Sequence, residues 1–461
     1  MSRYVLRPPL LVEEREPQPS RAQLLPELLL QIFALLAPTP FTLAAEDELD
    51  RWQMPLRQAN IVRLMFVCKV WRSAAEHIFY RAVNLKDPKA CMRFARTLKR
   101  RPALGALVRI IYFPNQLLQS IRRPIHHQFQ QNSKVCRYFC KRNQQRLGQA
   151  TLSILDICTR VDVVKLHADA ELLRSQHRGY SHQSRIRVCT VELQWPGYSC
   201  YFTELTEAVL LDLCSTESNP YWEQLEVLRV YGYGSQPGPM RMGYLLPVLV
   251  HRPTDIGRCF PNLQTLVLKD ILLSKQQLEA ILLALAPKLR TLGLIRTALC
   301  DNRPMWGQDS HHHPLAVLDS LPPNMLYDTE DIRLDYCTGY EPWPDCSRER
   351  AFDRWCNVAR LSLSTELLQF FKFVPPTLKS INIYELASWH RRSRPLKTLL
   401  DVVNVLVWAM PTWKTTAPGL SQVGLEARNI SLDELQTWRI ISLILRESLQ
   451  RHNISVIVNV A

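Results

Sequence analysis

The sequence has no stretch long enough to cross a membrane and no leader of the secretory kind. None of its apolar runs reaches the ~18 residues that a transmembrane helix needs. The N-terminal residues 1–20 carry acids and prolines in place of an apolar core, so we expect no signal peptide. These absences predict a protein of the cytoplasm, the nucleus or both, without a membrane among its partners.

Motifs that carry catalytic or cofactor chemistry are missing as well. No CxxC, GxSxG or HExxH sequence occurs, and the glycine-containing segment 232–238 lacks the lysine and hydroxyl residue of a phosphate-binding loop. The 13 cysteines form no disulfide or zinc-finger spacing, which indicates reduced and mostly buried thiols. We therefore predict a non-catalytic protein with no metal site and no cofactor.

Acidic residues are absent from one long segment. Residues 91–150 contain 13 Lys and Arg and no Asp or Glu, in a chain whose formal charge is +15. Phenylalanine and tyrosine are interleaved with these cations. Three interpretations stay open: a solvated basic face, a docking surface for an acidic or phosphorylated protein, and a nucleic-acid contact, which is not the partner that we expect.

A short leucine-rich pattern recurs along most of the chain. The pattern LxxLxL, or a close variant, occurs in nine segments: 161–166, 188–193, 225–230, 263–268, 289–294, 329–334, 358–363, 378–383 and 420–425. Apolar segments of helical type separate several of them. Because one such unit cannot bury its leucines alone, the repetition predicts an irregular solenoid of short parallel strands alternating with helices. The alternative is an ordinary α/β domain with leucine-rich strands.

The N-terminal part is different, because it consists of two apolar helical segments. In the first, 24–38, apolar residues cover nearly every side of the predicted helix, and prolines end it. The second covers 60–83 and has a broad apolar face. Together they are too small for an independent core, so part of their apolar surface is available to a partner. The alternative is a cap that covers the open end of the repeat array.

The two helical segments resemble the F-box. The resemblance rests on Leu25-Pro26, the Ile32-Phe33 pair and Leu36 in the first segment, then Val67-Cys68-Lys69 with Trp71 in the second. The stretch after them resembles the corresponding stretch of F-box proteins with leucine-rich repeats. The inserted loop 37–59 is about 20 residues longer than the family pattern, and such a loop can lie on the surface.

The resemblance implies the substrate-recognition subunit of a Skp–cullin–F-box ubiquitin ligase. A Skp-type adaptor would bind the helical pair and, through it, a cullin–RING ligase, while the repeats would hold an unidentified protein target, acidic or phosphorylated. The alternative is a non-catalytic scaffold or nucleic-acid-associated protein that uses residues 91–150. The adaptor-binding residues implied are Leu25, Pro26, Leu28, Leu29, Ile32, Phe33, Leu36, Val67, Cys68 and Trp71.

Domain organisation and target-binding residues follow from the same patterns. We expect a disordered lead at 1–22, an F-box-like all-α domain at 23–82 and the repeat array at 83–461, which makes the chain α/β. Residues between the leucines of each strand face away from the core. Those with hot-spot character or charge are the predicted target-binding residues: Lys165, Arg229, Tyr231, Lys269, Arg333 and Tyr384.

Overall fold

The computed structural model describes part of the chain. It comprises residues 25–35, 60–85, 87–113, 146–147, 149–151, 153–167, 187–194, 224–233, 240–241, 260–269, 271–295, 297–300, 317–318, 321–322, 325–334, 355–368, 374–384, 395–427 and 432–460. The predicted lead 1–22 and the inserted loop 37–59 lie outside the described residues.

A parallel sheet of twelve described strands forms the body of the protein. The strands lie side by side in the order in which they occur in the chain, and every neighbouring pair is parallel. They are β1 (Ala82–Asn84), β2 (Ile110–Tyr112), β3 (Val163–His167), β4 (Val188–Gln194), β5 (Val227–Tyr233), β7 (Thr265–Lys269), β9 (Thr291–Ile295), β11 (Asp331–Leu334), β12 (Arg360–Ser364), β13 (Ser380–Tyr384), β14 (Gln422–Ala427) and β15 (Ser455–Val460).

Three shorter strands form a separate parallel sheet, and helices alternate with the strands. The small sheet contains β6 (Met240–Arg241), β8 (Ile271–Ser274) and β10 (Ala298–Cys300). The helices are α1 (Pro26–Ala34), α2 (Lys69–Arg81), α3 (Pro88–Arg100), α4 (Lys275–Leu285), α5 (Thr365–Leu368), α6 (Pro395–Thr416) and α7 (Leu432–Gln450), with 3-10 turns at Pro102–Leu107 and Ala286–Lys288. The prediction of an α/β chain with short parallel strands and intervening helices is confirmed.

Backbone hydrogen bonds repeat at the start of each strand. The carbonyl oxygen of Gln264 accepts hydrogen bonds from the N–H groups of Arg290 at 2.8 Å and Thr291 at 3.0 Å. In the next repeat the carbonyl of Arg290 accepts in the same way from Glu330, which precedes β11, and from Asp331, which begins it. The same two-donor contact occurs at the start of eight of the twelve strands, where it fixes the register of the strand on the one before it.

The leucine pattern fills the core that this register creates. In the segments that contain β7 and β9, the first, fourth and sixth positions are all buried: Leu263, Leu266, Leu268, Leu289, Leu292 and Leu294. Thr329 occupies the first position before β11, where the other segments have an apolar residue. Its hydroxyl donates to the carbonyl oxygen of Leu289 at 2.9 Å, so the buried polar group is satisfied.

The last strand begins at a tight helix end. Asn453 has φ of 56°, a left-handed conformation that asparagine tolerates better than most residues. The N–H of Ile454 donates to the carbonyl of Leu449, and the N–H of Asn453 donates to that of Gln450. This is the hydrogen-bond arrangement of a Schellman-type helix end. The side chain of Ile454 is buried beneath it, which directs the chain from α7 into β15.

Removal of one core leucine should destabilise the array strongly. Leu292 on β9 is fully buried, whereas Leu283 on α4 is 43% exposed. Because Leu292→Ala leaves a cavity, we expect it to lower the free energy of unfolding by about 2–5 kcal/mol in urea titrations. The matched variant Leu283→Ala should lower it by less than about 1 kcal/mol. Equal losses in the two variants would contradict the assignment of the core.

Candidate functional site

The two N-terminal helices pack through one well-defined face. Leu29 and Phe33 of α1 lie in a buried cluster with Ala74, Ala75 and Ile78 of α2. The rings of Phe33 and Trp71 meet edge to face, with centroids 5.4 Å apart. The start of α2 is capped by Cys68, whose Sγ accepts a hydrogen bond from the N–H of Trp71 at 3.5 Å.

Several other large apolar side chains of this helical pair face solvent. Leu35 is 87% exposed, Phe66 84% and Leu25 62%. Four more large apolar side chains are exposed in the same pair: Leu28, Ile32, Val67 and Val70. A monomeric protein rarely exposes so many apolar side chains within so few residues, so this group is a candidate surface for a partner. We call these seven residues the apolar face.

The structure divides the predicted adaptor-binding residues into two groups. Leu25, Pro26, Leu28, Ile32, Val67 and Cys68 are exposed, and Leu36 lies outside the described residues. Leu29 and Phe33 are 1% and 2% exposed, so they support the pair from inside instead of reaching its surface. Trp71 is half-buried against Phe33. Val67 is exposed in the turn before α2.

The second candidate surface is the sheet face that carries the residues between the leucines. Strand pairing aligns Arg229 with Val267 and Tyr231 with Lys269 on neighbouring strands. The Nζ atom of Lys269 lies 5.4 Å from the centre of the Tyr231 ring, within cation–π range. Arg229 and Tyr231 are buried, so the expectation of open contact positions is wrong for these two. Lys165 on β3 and Tyr384 on β13 hold register positions in the same sheet.

A charge cluster lies further along this sheet face, and it joins Arg333, which the sequence predicted, to Asp331 and Arg360, which it did not. The Oδ2 atom of Asp331 is 3.2 Å from the guanidinium of Arg333 and 3.7 Å from the guanidinium of Arg360. The Asp331 side chain is 7% exposed, and its Oδ1 has no hydrogen-bond partner in the described structure. Asp331 and Arg360 meet because β11 and β12 pair in register. The carboxylate thereby holds two arginines side by side, one of them 56% exposed.

Opposite charges also alternate at the sheet edge where the strands begin. Arg109 pairs with Asp162 at 3.4 Å, and Arg187 forms two hydrogen bonds with Glu226, at 2.9 and 2.7 Å. Burial raises the pKa of Asp162, and the neighbouring arginines oppose that shift. The hydrogen bond from Arg187 to Glu226 raises the pKa of that guanidinium further. These pairs hold neighbouring strands in register and present no unpaired reactive group.

The described residues offer neither a metal site nor a membrane-spanning helix. No group of three or more His, Cys, Asp or Glu side chains converges within them. None of the described helices is long and apolar enough to cross a bilayer. No protein-family model matches the chain, and no curated protein is significantly similar to it. The two surfaces are therefore the candidate functional sites.

Cysteine reactivity should distinguish the exposed thiol beside the apolar face from the buried thiols of the core. Burial raises the pKa of Cys91 to about 11 and that of Cys158 to about 12, whereas Cys68 is exposed. At about pH 8 the thiolate fraction of Cys91 is about one in a thousand. We expect iodoacetamide to alkylate Cys68 in the native protein and to leave Cys91 and Cys158 unmodified, as measured by peptide mass spectrometry.

The same reaction in urea provides the control, because unfolding exposes all three thiols. Rapid modification of Cys91 in the native chain would contradict the packing of α3 on the core. Protection of Cys68 in the free protein would show that the surface beside Val67 is covered.

Proposed function

We propose that the protein is a non-catalytic substrate receptor of a Skp–cullin–F-box ubiquitin ligase. In this proposal the helical pair is an F-box that binds a Skp-type adaptor, and the parallel array is an irregular leucine-rich-repeat solenoid that holds the target. The single observation that carries the proposal is the apolar face, seven large apolar side chains exposed on a small helical pair. Such a face fits a partner that provides an apolar groove.

The arrangement of the helical pair supports partner binding over simple capping of the array. A cap would bury its apolar residues against the first strands. The contacts of α2 with the array instead run through Tyr80, which stacks on Phe94, and through the ion pair of Glu76 with Arg101 at 2.8 Å. The apolar face takes part in neither contact. Its residues are available for a second protein.

The sheet face supports target binding through charge. Lys269 on β7 and the two arginines on the neighbouring strands β11 and β12, Arg333 and Arg360, provide cationic groups, each beside a fixed partner that orients it. Arginine in such a preorganised position binds carboxylate or phosphate groups with well-defined geometry. This arrangement fits an acidic or phosphorylated target. The alternative of a scaffold outside ubiquitination would use the same sheet face without the adaptor.

Adaptor binding should depend on the exposed residues of α1. The double variant Leu28→Asp/Ile32→Asp places two charges at the centre of the apolar face, where burial in a complex would cost about 3–5 kcal/mol. We expect this variant to lose adaptor in pull-down experiments. Leu283→Asp is the matched control, since Leu28 and Leu283 are both 43% exposed. Equal recovery of adaptor with the double variant and with the wild type would contradict the proposal.

Target capture should depend on the arginine pair around Asp331. Arg360→Gln removes the more exposed guanidinium and leaves the Arg333–Asp331 pair intact. With the proteasome inhibited, we expect quantitative mass spectrometry to show about tenfold less captured target, as for a hot-spot residue. Arg439→Gln on α7, also exposed, is the control. An unchanged set of captured proteins would contradict this role of the sheet face.

A further inference from the structure

Helix α3 has one buried face and one strongly basic face. It begins after Asp87, whose carboxylate accepts a hydrogen bond from the N–H of Ala90 at 2.7 Å. Its inner face packs into the core through Cys91, Phe94, Ala95 and Leu98. Its outer face carries Lys89, Arg93, Arg96 and Arg100, all of which are exposed. We call these four residues the basic stripe.

The basic stripe is straight because of its spacing. Its members stand at positions i, i+4, i+7 and i+11, which fall on one side of an α-helix. From Lys89 to Arg100 the stripe is roughly 16 Å long, at about 1.5 Å per residue. Lys99 lies at its flank and is exposed as well. The helix therefore presents a continuous row of cations to solvent.

The nearest acidic groups are already engaged. Glu76 is bound by Arg101, just beyond the end of α3, and the Asp87 carboxylate caps the helix. In the part of the chain that the structure describes, no member of the basic stripe forms an ion pair. Arg96 donates only to the carbonyl of Met92 in its own helix, at 3.3 Å. Like charges three and four residues apart destabilise a helix, and an anionic partner would reverse that effect.

The surroundings of the basic stripe favour a polypeptide over a nucleic acid. Single-stranded nucleic acids gain much of their affinity from bases that stack on exposed aromatic rings. In the described part of residues 88–113, Phe94 and Phe113 are buried, and Tyr112 packs against the small cluster of Ala82, Ile110 and Val163. No ring in that part is exposed beside the stripe.

We propose that the basic stripe binds an acidic polypeptide segment. A helical segment of about eleven residues or an extended one of about five spans its length. Aspartate, glutamate and phosphorylated serine or threonine share the required chemistry, because each presents oxygen acceptors to guanidinium and ammonium groups. The site is separate from the apolar face and needs no adaptor. This proposal can therefore fail while the proposed function stands, and the proposed function can fail while this proposal stands.

The test is fluorescence anisotropy of the full chain with a labelled peptide of about twelve glutamates, which covers the stripe if helical. We expect the charge reversal Arg93→Glu/Arg96→Glu to weaken binding at least tenfold. Arg439→Glu/Arg446→Glu on α7 is the matched control. It changes the net charge by the same amount as the α3 variant, at two exposed arginines far from α3 in the sequence. That control should leave the affinity within about twofold at physiological salt.

Two further arms make the outcome decisive. Arg96→Gln removes one cation without introducing repulsion, and we expect an intermediate affinity from a variant whose melting temperature is unchanged. Single-stranded RNA of the same charge should bind less tightly than the peptide. Equal weakening by both charge reversals would show attraction to net charge alone and would overturn the proposal. RNA that binds more tightly than the peptide, and loses that affinity in the α3 variant, would also overturn it.

Discussion

At most strands of the twelve-stranded sheet, two backbone N–H groups at the strand start reach one carbonyl oxygen of the preceding repeat, and the rest of the structure depends on this contact. The N–H groups of Arg290 and Thr291 both donate to the carbonyl oxygen of Gln264, and the same contact recurs at the next strand. Once this register is set, the first, fourth and sixth positions of segments such as 263–268, 289–294 and 378–383 stack into one continuous core, and the residues between them form aligned rows on the other face. Each unit contacts mainly its neighbours, so stability accumulates along the array.

The same register produces the charged features of the sheet face. Asp331 holds Arg333 from its own strand and Arg360 from the next, and Lys269 stands over Tyr231 across a strand pair. These contacts fix long cationic side chains that would otherwise sample many rotamers, so less entropy is lost when they bind an anion. The helical pair at the N-terminus follows a different principle, because Leu29 and Phe33 hold it together while Leu28 and Ile32 point outward.

Much of this architecture could be predicted from sequence, because the leucine pattern is local. The segments 263–268 and 289–294 match the strands that contain their fourth and sixth positions. The contact of Asp331 with Arg360 could not be predicted, since it requires the register between two strands separated by a long connection. The burial of Arg229 and Tyr231 was missed for a related reason: periodicity shows which side of a strand a residue is on, but not what covers that side. In α1 apolar residues occur on nearly every side, so only packing could separate Leu29 from Leu28.

The central claim is that the exposed residues of the helical pair form the binding surface for a Skp-type adaptor. Hydrogen exchange of the full chain with and without purified adaptor tests it most directly, because amide protection reports the contact region in the unmodified protein. The account predicts slower exchange at residues 25–35 and 60–72 on addition of adaptor, and unchanged exchange in the strands from β3 to β15. No protection in the helical pair, or protection confined to the sheet or to α6 and α7, would contradict it.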